Sequence, residues 1–189
     1  MKRKGLWMVV LVPVLAAGLW GLWGRNTRPV QRQTRFLMDT YCTIQVPGGV
    51  EVRPAIDHAL DRMEAIDRRF NALTPDSPLY AFNQNGTPVS DPDLVALVET
   101  ALDVSRRTDG AFDITVAPLM ALWGFYGETP ALPDESSIAL CRDRVGWSHL
   151  AIRNGQLVRL REGVEIDLGG IAKGLAVAEA IQVLKDHHI

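Results

Sequence analysis

The chain has 189 residues, enough for one domain of ordinary size, and its 47% hydrophobic and 22% charged residues exclude a disordered or low-complexity polypeptide. The net charge is -2, and Lys2, Arg3, Lys4 and Arg25 stand ahead of every acid, so the remainder sets 16 bases against 22 acids. That body offers no basic field for nucleic acid, and no nucleic-acid partner is expected.

Lys2 to Lys4 cap a run from Gly5 to Gly24 that has no charged residue and is rich in Leu, Val, Ala and Trp. As a helix rising 1.5 Å per residue it would reach about 30 Å, the thickness of a bilayer's hydrocarbon core. Val14, Ala16, Ala17 and Gly18 give a signal peptidase a place to cut, yet the apolar run continues past them through Leu19, Trp20, Leu22 and Trp23. Residues 1–24 therefore read as a membrane anchor, with a cleaved signal peptide as the alternative. With the basic end inside, the body is expected on the periplasmic or extracytoplasmic side of the cell inner membrane. Residues 25–35 are polar and read as a tether, leaving 36–189 as the folded body.

"FLMDTYCTIQV" is rich in β-branched and aromatic residues and is expected to form one strand ending at Pro47-Gly48-Gly49. A helix follows from Pro54, with Ile56, Leu60, Met63, Ile66 and Phe70 on one face. "NALTPDSPLYAFNQNGTPVSDP" is expected to be loop or short turns, and loops of that length often bind ligands. Asp91-Pro92 opens a second helix, which Gly110 ends. "GAFDITVAPLMALWGFYG" is strand-like at first, and Glu128 to Arg144 is loop with one helical turn. In "SHLAIRNGQLVRLREG" a two-residue Asn154-Gly155 turn would set Leu150 opposite Arg159, so a three-residue loop, pairing Leu150 and Ile152 with Val158 and Leu160, is expected instead. A strand from Val164 to Leu168 then leads through Gly169 and Gly170 into a helix that runs to the last residue. The absence of a returning strand suggests truncation at the C-terminus.

The chemical residues admit plain readings. Gly169-Gly170 with Lys173 matches neither the dinucleotide fingerprint nor the nucleotide-hydrolase loop, yet a helix start behind glycines suits an anion or metal. Asp113, an acid inside an apolar run, needs a partner, either a backbone N-H or a ligand. Trp123 and Phe125 fit a core or a lid. His58 and His149 lack a second ligand at zinc spacing, and His187-His188 read as surface residues. Cys42 and Cys141 are as well explained by unlinked thiols as by a disulfide.

Taken in order, "FLMDTYCTIQV", "NALTPDSPLYAFN", "DGAFDITVAPLMALWGF" and "IDLGGIAKGLAV" make the body resemble the ApbE family of flavin transferases. The resemblance implies a mixed α/β (α+β) fold and transfer of FMN from FAD to a threonine or serine of an acceptor flavoprotein, with Mg2+ and release of AMP. It implies that Met38 lies near the isoalloxazine and that Ala111, Phe112 and Asp113 line the flavin site. By the same resemblance Asp167 and Lys173 bind FAD, and the main-chain oxygen of Gly170 faces magnesium. Leu73 stands where an aromatic ligand is common, and Pro78-Leu79-Tyr80 replaces Glu-Leu-Ser. The groups that complete the magnesium shell and the catalytic residues are expected beyond residue 189. An FAD pyrophosphatase and a non-catalytic, membrane-tethered flavin-binding protein are the alternatives.

Overall fold

The computed structural model describes residues 29–127, 129, 130 and 132–189. The hydrophobic segment 5–24 and the first part of the tether lie outside them. Among the described residues no helix is long and apolar enough to cross a membrane.

The first correction concerns the tether. Val30–Leu37 is strand β1, paired antiparallel with β2, Thr40–Pro47, so "FLMDTYCTIQV" is one arm and the turn of a hairpin. The sequence of β1 conceals this because its outer face is exposed and its inner face carries Gln31, Gln33 and Arg35, leaving no apolar alternation. Met38 and Asp39 make the turn with φ of 53° and 56°. Helix α1, Arg53–Phe70, follows as expected, and Ile56, Leu60, Met63, Ile66 and Phe70 are all buried.

Helix α2, Pro78–Asn85, occupies the stretch expected to be loop. Ser77 caps it by accepting from the Tyr80 N-H, Pro78 starts it, and Gly86 at φ 70° ends it. Helix α3, Pro92–Arg107, is capped by Asp91, whose carboxylate accepts from the N-H groups of Asp93 and Leu94. "GAFDITVAP" forms no strand: Ile114–Val116 is a 3-10 turn leading into α4, Ala117–Leu122. The Asp113 carboxylate caps that turn, so the chain bends where β-propensity alone would extend it. Helix α5, Glu135–Arg142, has two turns where one was expected, started by Asp134.

The second hairpin, β3 (Leu150–Arg153) with β4 (Gln156–Arg159), adopts the register that face-matching disfavoured. Leu150 faces Arg159 across a two-residue turn in which Asn154 and Gly155 have φ of 52° and 72°. Two contacts make this tolerable. Leu157, fully buried, exchanges backbone hydrogen bonds with Val89, and the Arg159 guanidinium lies over Gly86, where a Cβ would collide with Nε.

Val164–Leu168 is extended, with Val164, Ile166 and Leu168 buried, but it joins no sheet. The buried Asn83 amide takes the place of a neighbouring strand: it donates to the Ile166 carbonyl and accepts from the Ile166 N-H, both at 2.9 Å. The chain then enters α6, Ala172–Asp186, which packs along α1 with Ala172, Ala176 and Ala180 buried. These alanines at four-residue steps let the helices approach closely, and Arg62 and Glu179 bridge them at 2.9 Å. The helix stops at Asp186, and His187 turns back to pair with His58, Nε2 to Nδ1 at 3.1 Å.

Removing the Asn83 amide would strand a buried N-H and a buried C=O at Ile166. Asn83→Ala is expected to lower stability by about 2 to 4 kcal/mol, and the exposed control Gln84→Ala by less than about 0.5, in urea unfolding followed by circular dichroism.

Candidate flavin site

Met38, Ala111, Phe112, Asp113, Asp167, Gly170 and Lys173 come from three separate stretches of sequence and line one cavity of about 880 Å³. Leu73, half-exposed at 52%, is on its wall too. Four elements deliver these residues: the β1–β2 turn, the end of α1, the turn before α4, and the start of α6.

Met38 is held at the rim from behind, its N-H donating to an Asp67 carboxylate oxygen on α1 at 2.9 Å. That bond partly offsets the cost of a left-handed backbone in a residue other than glycine. The neighbouring Cys42 thiol is pushed above its ordinary range by burial and by Asp67, against the opposing pull of Lys173. Cys42 and Cys141 are both free thiols, each half-buried.

The two acids have different occupations. Asp113 has an internal partner on each oxygen: Oδ1 accepts from the Thr115 N-H at 2.8 Å and hydroxyl at 2.6 Å, and Oδ2 from the Trp147 N-H at 2.8 Å. Thr115 in turn accepts from the Gly146 N-H at 2.7 Å, so this carboxylate ties the turn before α4 to the turn before β3. The need for a partner, evident in the sequence, is met by protein groups. Asp113 lines the cavity as part of its frame, and Ala111 and Phe112 are presented by the turn it holds.

Asp167 stands at the end of the extended segment. Its N-H donates to the Ile114 carbonyl at 2.8 Å, joining the two motifs directly. Its Oδ1 accepts from the Gly169 N-H at 2.7 Å, and its Oδ2 from the Tyr126 hydroxyl at 2.6 Å. Burial, together with the Asp167 carboxylate that the hydroxyl serves, pushes the Tyr126 phenol far above its ordinary range, so it remains a donor. Gly170 lies against the Phe112 ring, and a Cβ there would come within 3.1 Å of Cε2. Lys173 is exposed in the first turn of α6. The N-H groups of Ala172 and Gly174 on either side of it are already bonded to the Leu168 and Ile171 carbonyls, so the ammonium and the positive end of the helix are what this turn offers an anion.

Sequence reasoning weighed Trp123 and Phe125 and passed over Tyr126. Phe125 and Tyr126 both line the cavity. The signal was present in the glycines at 124 and 127 that flank the pair, which mark a turn able to aim a side chain. Its target, forty-one residues on, had no local signature.

A family model described as the ApbE family matches residues 38–189. The chain belongs to the ApbE family. It is 26% identical over 194 residues to the FAD:protein FMN transferase of Treponema pallidum, covering 96% of this chain and 54% of that protein. The FAD:protein FMN transferase of Escherichia coli K12 is 29% identical over 167 residues, with 80% of this chain and 46% of that protein covered. The crystal structure of the ApbE protein from Thermotoga maritima superposes with a TM-score of 0.77 at 28% identity, over 82% of this chain and 52% of that one. The chain thus spans about half the length of the relatives it matches, and the mixed α/β architecture is that of ApbE structures.

The different occupations of the two acids separate in mutants. Asp113→Ala is expected to cost about 2 to 4 kcal/mol by releasing three internal donors, whereas Asp167→Ala should cost about 1 to 2 kcal/mol, since it releases one half-buried hydroxyl and an N-H that water can reach. Urea unfolding midpoints of the two variants check this.

Proposed function

We propose that this chain carries the flavin-binding part of an FAD:protein FMN transferase, which moves FMN from FAD to a threonine or serine hydroxyl of an acceptor flavoprotein. The observation that carries the reading is the convergence of Met38, Phe112, Asp167, Gly170 and Lys173 on one cavity, with the backbone of Asp167 bonded to that of Ile114. The names of the matched relatives support the same chemistry.

In the proposed reaction the acceptor oxygen bonds to the phosphorus on the riboflavin side of the pyrophosphate. The bond to the AMP phosphate breaks, AMP leaves with the bridging oxygen, and the hydroxyl proton passes to solvent. The chain's own residues would bind and orient FAD. Asp167 would accept from a flavin hydroxyl or ring N-H, the Met38 and Phe112 side chains would bound the ring, and Lys173 at the α6 start would face the pyrophosphate charge. None of the described residues is assigned as the base.

Magnesium belongs to the proposal, where it would neutralise pyrophosphate charge. Among the described residues no three His, Cys, Asp or Glu side chains stand together as a metal-binding group. The Gly170 carbonyl is one implied ligand, and alone it does not meet magnesium's demand for six oxygens. The described residues therefore do not make a magnesium site by themselves.

Incubating the complete reading frame with FAD, Mg2+ and a threonine-bearing acceptor should give an acceptor heavier by FMN in intact-protein mass spectrometry. EDTA should abolish the adduct while FAD binding persists. Asp167→Ala and Lys173→Ala should each weaken FAD binding by about tenfold or more, the scale of a lost hydrogen bond to a charged group. Failure to form an adduct with any acceptor, with AMP still released, would leave a hydrolase in place of a transferase.

Membrane attachment through residues 5–24 and a periplasmic or extracytoplasmic body are proposed as well, supported by the basic residues ahead of the apolar run. The body should then resist protease in intact spheroplasts only if it faces the cytoplasm. Cleavage of the body from outside, with the protein retained in carbonate-washed membranes, is the expected result.

A further inference from the structure

The Tyr126 hydroxyl has no part in the reading above, yet it holds the acid to which that reading gives the flavin. Both oxygens of Asp167 are occupied by internal donors, Oδ1 by the Gly169 N-H of its own turn and Oδ2 by Tyr126 at 2.6 Å. Tyr126 sits in a short loop bounded by Gly124 at φ 74° and Gly127 at φ 99°, and a Cβ at Gly127 would meet no atom within 4 Å. Near its start the loop is fixed by backbone bonds to the end of α4, from Gly124 N-H to Ala121 and from Phe125 N-H to Met120. Beyond Phe125 the phenol ties it to the opposite wall, while Phe125 itself is 62% exposed on the cavity. Gly124 is buried against the Thr129 and Pro130 backbone and anchors the loop, while the exposed Gly127, with open space around it, permits the backbone rotation that would swing the ring away.

We propose that Tyr126 is a latch: its hydroxyl holds residues 124–127 across the cavity by bonding Asp167, and a flavin dinucleotide enters by exchanging its own donor for the phenol on Oδ2. The inference rests on the reading of Asp167 as the flavin-binding acid. Tyr126 is thus a positioning residue that competes with the ligand. Its removal lifts a competing hydrogen bond and leaves the site's own contacts intact.

The experiment compares the full chain with its Tyr126→Phe variant, which loses only the hydroxyl. Amide hydrogen exchange is read over residues 124–127 with and without FAD, and affinity is read by quenching of flavin fluorescence. Without ligand, the loop should exchange faster in Tyr126→Phe than in the parent. With FAD, the parent's loop should lose the protection that the latch conferred, and Tyr126→Phe should bind FAD about two- to tenfold more tightly, the span of one net hydrogen bond. Equal loop exchange in the two ligand-free proteins would overturn the latch whatever the affinities. Weaker FAD binding by Tyr126→Phe would overturn it too, by making the hydroxyl a ligand contact. If neither protein binds FAD but the variant's loop exchanges faster, the latch stands and the flavin reading fails.

Discussion

Asn83 bonds both backbone groups of Ile166 from the side, and the placement of Asp167, Gly170 and Lys173 follows from that contact. An extended segment buried away from a sheet would ordinarily leave its N-H and C=O groups unpaired, at about 1 to 3 kcal/mol each. One primary amide presents a donor and an acceptor at the spacing of a strand partner and removes the problem at a single residue. The next backbone donor, that of Asp167, is taken by Ile114. The segment is therefore pinned at two successive residues by two different parts of the chain, and Asp167 leaves it in one orientation. Helix α2, which carries Asn83, is in this sense a support for the cavity, although none of its residues lines it.

The cavity combines two kinds of acid that composition cannot tell apart. Asp113 spends its charge on Thr115 and Trp147 and so stiffens the frame, while Asp167 is held only by its own turn and by a tyrosine hydroxyl. The close fit of Gly170 to the Phe112 ring brings the start of α6 against the turn that Asp113 holds. One side of the cavity is thus framed by three internal bonds to a carboxylate, and the other by a single bond between two side chains.

The elements that could be read from the sequence were those whose pattern repeats over several turns. Helices α1 and α3 have a continuous apolar face and α3 has a proline behind an aspartate cap, so their positions followed directly. What escaped was decided by single contacts at long range. Helix α2 is dense in turn-forming residues, and its apolar face is short, though Ser77-Pro78 and Gly86 mark its ends. Strand β1 has polar side chains on both faces, and its partner strand is the only sign of it. The second hairpin's turn residues pointed to the right register, but face-matching outweighed them because the resting place of Arg159 over Gly86 is invisible in the sequence. At the site, the family motifs located the lining residues. They did not distinguish the carboxylate bonded to three donors of the frame from the one held by its own turn and a tyrosine hydroxyl, since that depends on Trp147 and Tyr126, which lie outside the matched stretches or at their edge.

The chain makes the same left-handed two-residue turn twice, once with Asn154-Gly155 and once with Met38-Asp39. The first pair suits that backbone. The second suits it only in part: aspartate, like asparagine, tolerates a left-handed backbone, whereas Met38 held there costs on the order of 1 kcal/mol. The easy pair stands at a hairpin away from the cavity, and the costly pair stands on its rim. The hairpin that borders the cavity is thus closed by its less favourable pair, and Met38→Gly would ease that turn while taking a side chain away from the cavity's rim.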